Sequence, residues 1–188
     1  MNQGTQKIQV LLSQIRLVQT EIMRAMPYRD IGLVPNPGAS DAAIASAERR
    51  IGRALPPSYR AFLREADGWP RFFEGATLLG TACLGKRTYE ALAHAACEAA
   101  ETPVPEVGPP SRYRRTAQAL VPFGIDVQAT TLFAFNPSVV GPGGEYQVIA
   151  WVNEIGVRRD SFPDFLEFVL ELCGAELPVY GELALETA

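Results

Sequence analysis

SDAAIASAERRIGRALPPSYRAFLREADGW, residues 40–69, decides how the rest of this chain is read. Ser40 is placed to cap a helix start, and Asp41 suits the positive end of the helix dipole. Ile44, Ala47 and Ile51 then recur at helical spacing as an apolar stripe, with Glu48 among them. Gly52 supplies a stop, because only glycine takes the left-handed C′ conformation without a Cβ penalty. Leu55 leads into Pro56-Pro57, where the first proline holds Leu55 extended. Pro57 can open a second helix, since a first-turn N–H has no partner in any case. Tyr59, Phe62, Leu63 and Ala66 fall at i, i+3, i+4 and i+7 on one face, and Asp67-Gly68 closes the element. Two short helices joined at a proline corner make a packing unit, with no catalytic group in it.

Downstream, residues 71–75 read as a turn, and a short strand begins at Ala76 and ends near Leu79. Residues 88–99 have helical spacing, and residues 102–111, with four prolines, read as an exposed extended insertion. Residues 120–124 (LVPFG) form a strand placed at a sheet edge, because Pro122 lacks a ladder donor. TTLFAFN ahead of Pro137 and YQVIAWVN (residues 146–153) are rich in β-branched and aromatic residues, the composition of strands. The Gly141-Pro142-Gly143-Gly144 turn between them predicts an antiparallel hairpin. A last helix opens at Ser161 and Asp164 in capping-box-like spacing, buries Phe162, Phe165, Leu166, Val169 and Cys173, and stops at Gly174. Upstream, Ile8, Leu11, Leu12, Ile15, Val18, Ile22 and Met26 give residues 6–26 an amphipathic helix. That helix either folds onto its own domain or serves as a dimer or partner helix.

The pattern Ile44, Glu48, Ile51-Gly52, Leu55-Pro56-Pro57, Tyr59, Phe62-Leu63 and Asp67-Gly68-Trp69 resembles the SUKH superfamily, the Smi/Knr-like domains that include many bacterial toxin-immunity proteins. The resemblance implies a single α+β domain, an antiparallel or mixed sheet with helices packed mainly on one side. It runs from residue 40 to about Cys173 within a domain set at residues 40–174, and residues 98–118, with the proline-rich insertion, have no counterpart in it. Residues 1–39 stand as an added N-terminal helix and loop, and residues 175–188 as a tail that is mobile at its end. The function it implies is a non-catalytic, cytoplasmic protein-binding module that neutralises a cognate toxin encoded nearby, with no cofactor. The alternative within the family is a regulatory or scaffold protein without a toxin partner.

Composition bounds these readings. The chain has 188 residues, 47% hydrophobic and 20% charged, and no apolar run approaches the ~20 residues of a membrane span. The first 26 residues lack the continuous apolar stretch of a signal peptide. Cys83, Cys97 and Cys173, odd in number and far apart, fit a reducing compartment. The charge is uneven: residues 1–119 hold 15 Lys+Arg and 11 Asp+Glu, whereas residues 120–188 hold 2 and 10, a balance of −8. An acidic C-terminal part disfavours direct nucleic-acid binding and suits a basic partner, such as a nuclease toxin. Asp126, Glu145, Glu154 and Asp160, near the proposed strand ends, are the candidate partner-binding acids, with Glu167 and Glu171 next. Arg112, Arg114 and Arg115 beside the insertion are the other charged group.

Enzymatic readings fare worse. His94 is the only histidine, and with Cys97 it makes at most a fragment of the roughly four-ligand set zinc needs. The glycine run at 141–144 lacks the Gly-Lys-Ser/Thr of a phosphate loop, and Glu145 would repel a phosphate. Asp126, Glu154 and Asp160 could act as the acids of a hydrolase, but nothing in their spacing brings them to one cleft.

Overall fold

The computed structural model describes residues 3–29, 31–91, 120–128, 130–152 and 155–186. The predicted His94, Cys97, proline-rich insertion, Arg112–Arg115 cluster and Glu154 lie outside the described residues.

Helix α1 spans Gln3–Ala25, α2 Asp41–Ile51 and α3 Pro57–Glu65. Strands follow at β1 (Trp69–Phe73), β2 (Ala76–Leu78), β3 (Val121–Ile125), β4 (Thr131–Val140), β5 (Tyr146–Val152) and β6 (Ile155–Arg159). Helix α4 spans Phe162–Glu186. The strands form one six-stranded sheet in the order β1-β2-β3-β4-β5-β6, every neighbouring pair antiparallel. The chain is therefore α+β with an antiparallel meander.

The organising stretch folds as read. Ser40 Oγ accepts from the Ala43 N–H at 3.2 Å, and Gly52 takes φ +77° at the end of α2. Pro57 opens α3. Tertiary contacts then explain the residues around the corner. Glu48 Oε1 accepts from the Leu55 N–H at 2.8 Å, tying the proline corner back onto α2. Asp67 accepts from both the Thr81 N–H and the Thr81 hydroxyl, clamping the chain after α3 to the segment after β2. Gly68, at φ +88°, lets this crossing run backbone against backbone, because a Cβ there would meet Gly80 N and Leu78 O. Trp69 is fully buried, and its indole N–H donates to Gly32 O.

One face of the sheet carries the core. Phe133 and Phe135 on β4, paired with Ala150 and Val148 on β5, meet Phe162 and Phe165 of α4 and Tyr59 of α3. Tyr59 stands at the centre, with ring centroids of Phe62, Phe123, Phe135 and Phe162 at 4.9–5.3 Å. Helix α1 packs in cis: Ile8, Leu11, Ile15, Ile22 and Met26 are buried in the same core, chiefly against α4 and α3. Trp151 takes the other face of the sheet, paired with Leu132 and Gly156, and is half-buried.

Four local expectations are corrected. Residues 71–75 are not simply a turn: Trp69–Phe73 is a strand, and the turn shrinks to Glu74-Gly75, both at positive φ, as a tight hairpin requires. The 120–124 strand lies inside the sheet, between β2 and β4, with its register shifted between Pro122 and Gly124. Strand β2 pairs only with Gly124 and Ile125, so Pro122 has no ladder partner on the β2 side although its strand is interior to the sheet. Strand β4 runs on through Pro137 to Val140, and a further strand, β6, follows β5. Finally, α4 does not stop at Gly174 but continues to Glu186, so residues 175–186 are helical. A mid-helix glycine costs only about 1 kcal/mol against alanine, and Gly174 stays in the helix instead of turning left-handed.

Candidate partner-binding surface

The candidate acids do not share one setting. Asp126 is buried, which corrects its expected exposure. Its carboxylate faces inward, accepting from the Thr130 hydroxyl at 2.6 Å and the Thr131 N–H at 3.2 Å, so it closes the β3–β4 turn. Glu145 is likewise engaged within the fold. Its two oxygens accept from the Ser58 N–H at 2.9 Å and the Ser58 hydroxyl at 2.5 Å, capping the open N-terminus of α3 from the β4–β5 loop. A carboxylate suits that position, because the first N–H groups of a helix have no internal acceptor. Neither contact is visible in sequence, since Ser58 and Glu145 are 87 residues apart. Asp160 is exposed.

Helix α4 supplies the convergence that the strand ends do not. Phe162, Phe165, Leu166, Val169 and Cys173 are buried on one side. Asp164, Glu167 and Glu171 follow at spacings of three and four on the opposite side, and Asp160 precedes the helix. At 1.5 Å per residue, Asp164 to Glu171 is about 10 Å, so the group spans roughly one Debye length and its fields add. Asp164 also closes the helix start: its N–H donates to Ser161 Oγ at 3.3 Å, and its carboxylate accepts from the Ser161 hydroxyl at 2.6 Å. Lys7 of α1 reaches Glu167 at 2.8 Å. Its ammonium is held above the ordinary lysine range, first by that hydrogen bond, which outweighs the opposing effect of burial, and then by the weaker pull of the Glu167 and Asp164 charges. Asp160 and Glu171 are the two exposed members of the stripe. Glu167 and Glu171 were legible from helical periodicity alone. From sequence Asp164 reads only as a cap, and nothing in the spacing singles out the stripe as a unit.

A second charged region is basic. Arg50 donates to the carbonyls of Thr81 and Leu84, holding the Thr81–Lys86 turn against the C-terminal end of α2. Gly85 packs so closely there that a Cβ would touch Ile51 and Arg50. Arg49 lies in the last turn of α2, Arg53 follows its Gly52 cap, and Lys86 ends the Thr81–Lys86 turn with Arg87 next in sequence. Among the described residues no cluster of His, Cys, Asp or Glu has the geometry of a metal site. Among the described residues Cys83 and Cys173 stand outside any disulfide, and no helix is long and apolar enough to cross a membrane.

A helix pair around a proline corner, locked to an antiparallel meander by Tyr59, Asp67 and Trp69, defines the class of protein. The sequence matches the model of the SMI1 / KNR4 family (SUKH-1) over residues 38–171, and the chain belongs to that family. Comparison with curated proteins gives no match. Residues 1–37, which include all of α1, precede the matched region.

Proposed function

We propose that this chain is an immunity-type binding module that neutralises a basic protein toxin, such as a nuclease encoded beside it, in the cytoplasm. Family membership supports a protein-binding role, and Cys83 and Cys173, which stand outside any disulfide, are in keeping with a reducing compartment. The observation that carries the choice of surface is the acidic row of Asp164, Glu167 and Glu171, standing opposite the buried side of α4, with exposed Asp160 just before that helix. A fixed row of carboxylates raises the encounter rate of a cationic surface and excludes anionic ones. Of the acids considered from sequence, Asp160 belongs to this surface, whereas Asp126 and Glu145 are committed to the fold.

The test is association kinetics against the product of the neighbouring gene. Changing Asp160 and Glu171 together to lysine leaves the hydrogen bonds of Asp164 and the Lys7–Glu167 pair in place. The expected result is an association rate about tenfold lower at low salt, converging with the parent at high salt, and an unchanged melting curve. An unaltered rate moves the interface away from this acidic surface. Absence of any complex with that product favours the regulatory or scaffold role.

A further inference from the structure

A cavity of about 200 Å³ lies where α1 crosses the β1–β2 hairpin and α4. Ile22, Ile31, Phe72 and Phe73 give it an apolar lining, and Cys173 of α4 also borders it. Arg29 and Glu74, 3.9 Å apart and about a third exposed, stand at its edge. Gln19 is the exception in this setting. It is a polar residue on the buried stripe of α1, only 1% exposed, in a place where helical spacing calls for another aliphatic. Its side-chain N–H donates to Phe72 O, while its carbonyl Oε1 is buried with no hydrogen-bond partner.

Burying an amide oxygen unpaired costs about 1–3 kcal/mol, so a fold that retains one beside a cavity has an acceptor waiting for a donor. The volume is large enough to matter. An apolar cavity of about 150 Å³ takes up benzene, and this one exceeds it.

We propose that this cavity binds a small molecule of about one ring, apolar over most of its surface and carrying a single O–H or N–H donor that the Gln19 carbonyl accepts. Gln19, Ile22, Arg29 and Ile31 precede the family-matched region, whereas Phe72, Phe73 and Glu74 lie within it. The ligand therefore sits across the seam between the added N-terminal segment and the body of the domain, and its binding holds the two together.

Phenol and toluene, nearly equal in size, are the probes, titrated into the full chain with amide and side-chain NMR as the readout. Phenol is expected to saturate, with shifts at the Gln19 side-chain amide and the Phe72–Gly75 backbone, and to bind about fivefold more tightly than toluene, the preference one net hydrogen bond carries. Gln19→Leu is expected to bring the two affinities together while toluene still binds. Should that variant fold poorly, the wild-type preference and the location of its shifts decide alone. No saturable phenol binding, equal affinities in the wild type, or shifts confined to other parts of the chain would each overturn the proposal, leaving a cavity filled by water.

Discussion

Alkaline titration of Tyr59 gives the sharpest test of how this core is built. The side chain is fully buried among four rings, and its hydroxyl donates to Leu79 O at 2.7 Å. Burial pushes its phenol well above the ordinary tyrosine range, with the Asp67 carboxylate and Cys83 adding to the effect. The folded state therefore keeps its proton where the unfolded chain, with an ordinary value near about 10, releases it. Stability from this group is full below about pH 10 and falls as pH rises toward the folded value, with a limiting slope of about 1.4 kcal/mol per pH unit.

Replacing Tyr59 by Phe removes the hydroxyl and with it both effects. Below about pH 9 the variant loses the Leu79 hydrogen bond and should be less stable by about 1 kcal/mol. Above about pH 10 the wild type loses stability that the variant cannot lose, so the two curves cross near about pH 10.7, where the deprotonation penalty has grown to about 1 kcal/mol. Urea unfolding at pH steps from 7 to 11, both proteins side by side, measures this directly, because every other titrating group is common to the pair. Parallel curves with no crossing would show that Tyr59 ionises as easily folded as unfolded, and would refute its place at the centre of the core.

Glu145→Ala should destabilise the protein by about 1 kcal/mol, the ordinary value of a helix N-cap, and hydrogen exchange should quicken at Ser58 in the first turn of α3. Loss of stability without faster exchange there would mean the carboxylate acts elsewhere. Deleting residues 1–26 should lower the urea midpoint and increase binding of an apolar dye, since Ile8, Leu11, Ile15 and Ile22 leave the core. A truncated chain that melts as before but changes from dimer to monomer in solution scattering would make α1 an oligomerisation element instead.

The sequence by itself determined the parts of this protein that rest on neighbours along the chain. Helix caps at Ser40 and Gly52, the Pro57 start, the apolar stripes of α1, α3 and α4, and the hairpin of β4 and β5 are properties of a few consecutive residues. The SUKH resemblance rests on the same local patterns, because proline corners and left-handed glycines are fixed by backbone sterics. Tertiary structure decided what depends on partners far away in sequence. Pro122 reads as an edge residue until β2 and β4 are seen on either side of its strand, and Gly174 reads as a stop although α4 runs on through it to Glu186. Acidic residues show the difference most clearly. A carboxylate in a sequence is only a charge, and the fold spends Asp126 on the Thr131 N–H, Glu145 on Ser58 and Asp67 on Thr81. Desolvation and hydrogen-bond geometry made those choices, and they left Asp160 and Glu171 facing solvent, where a charge is available to a partner.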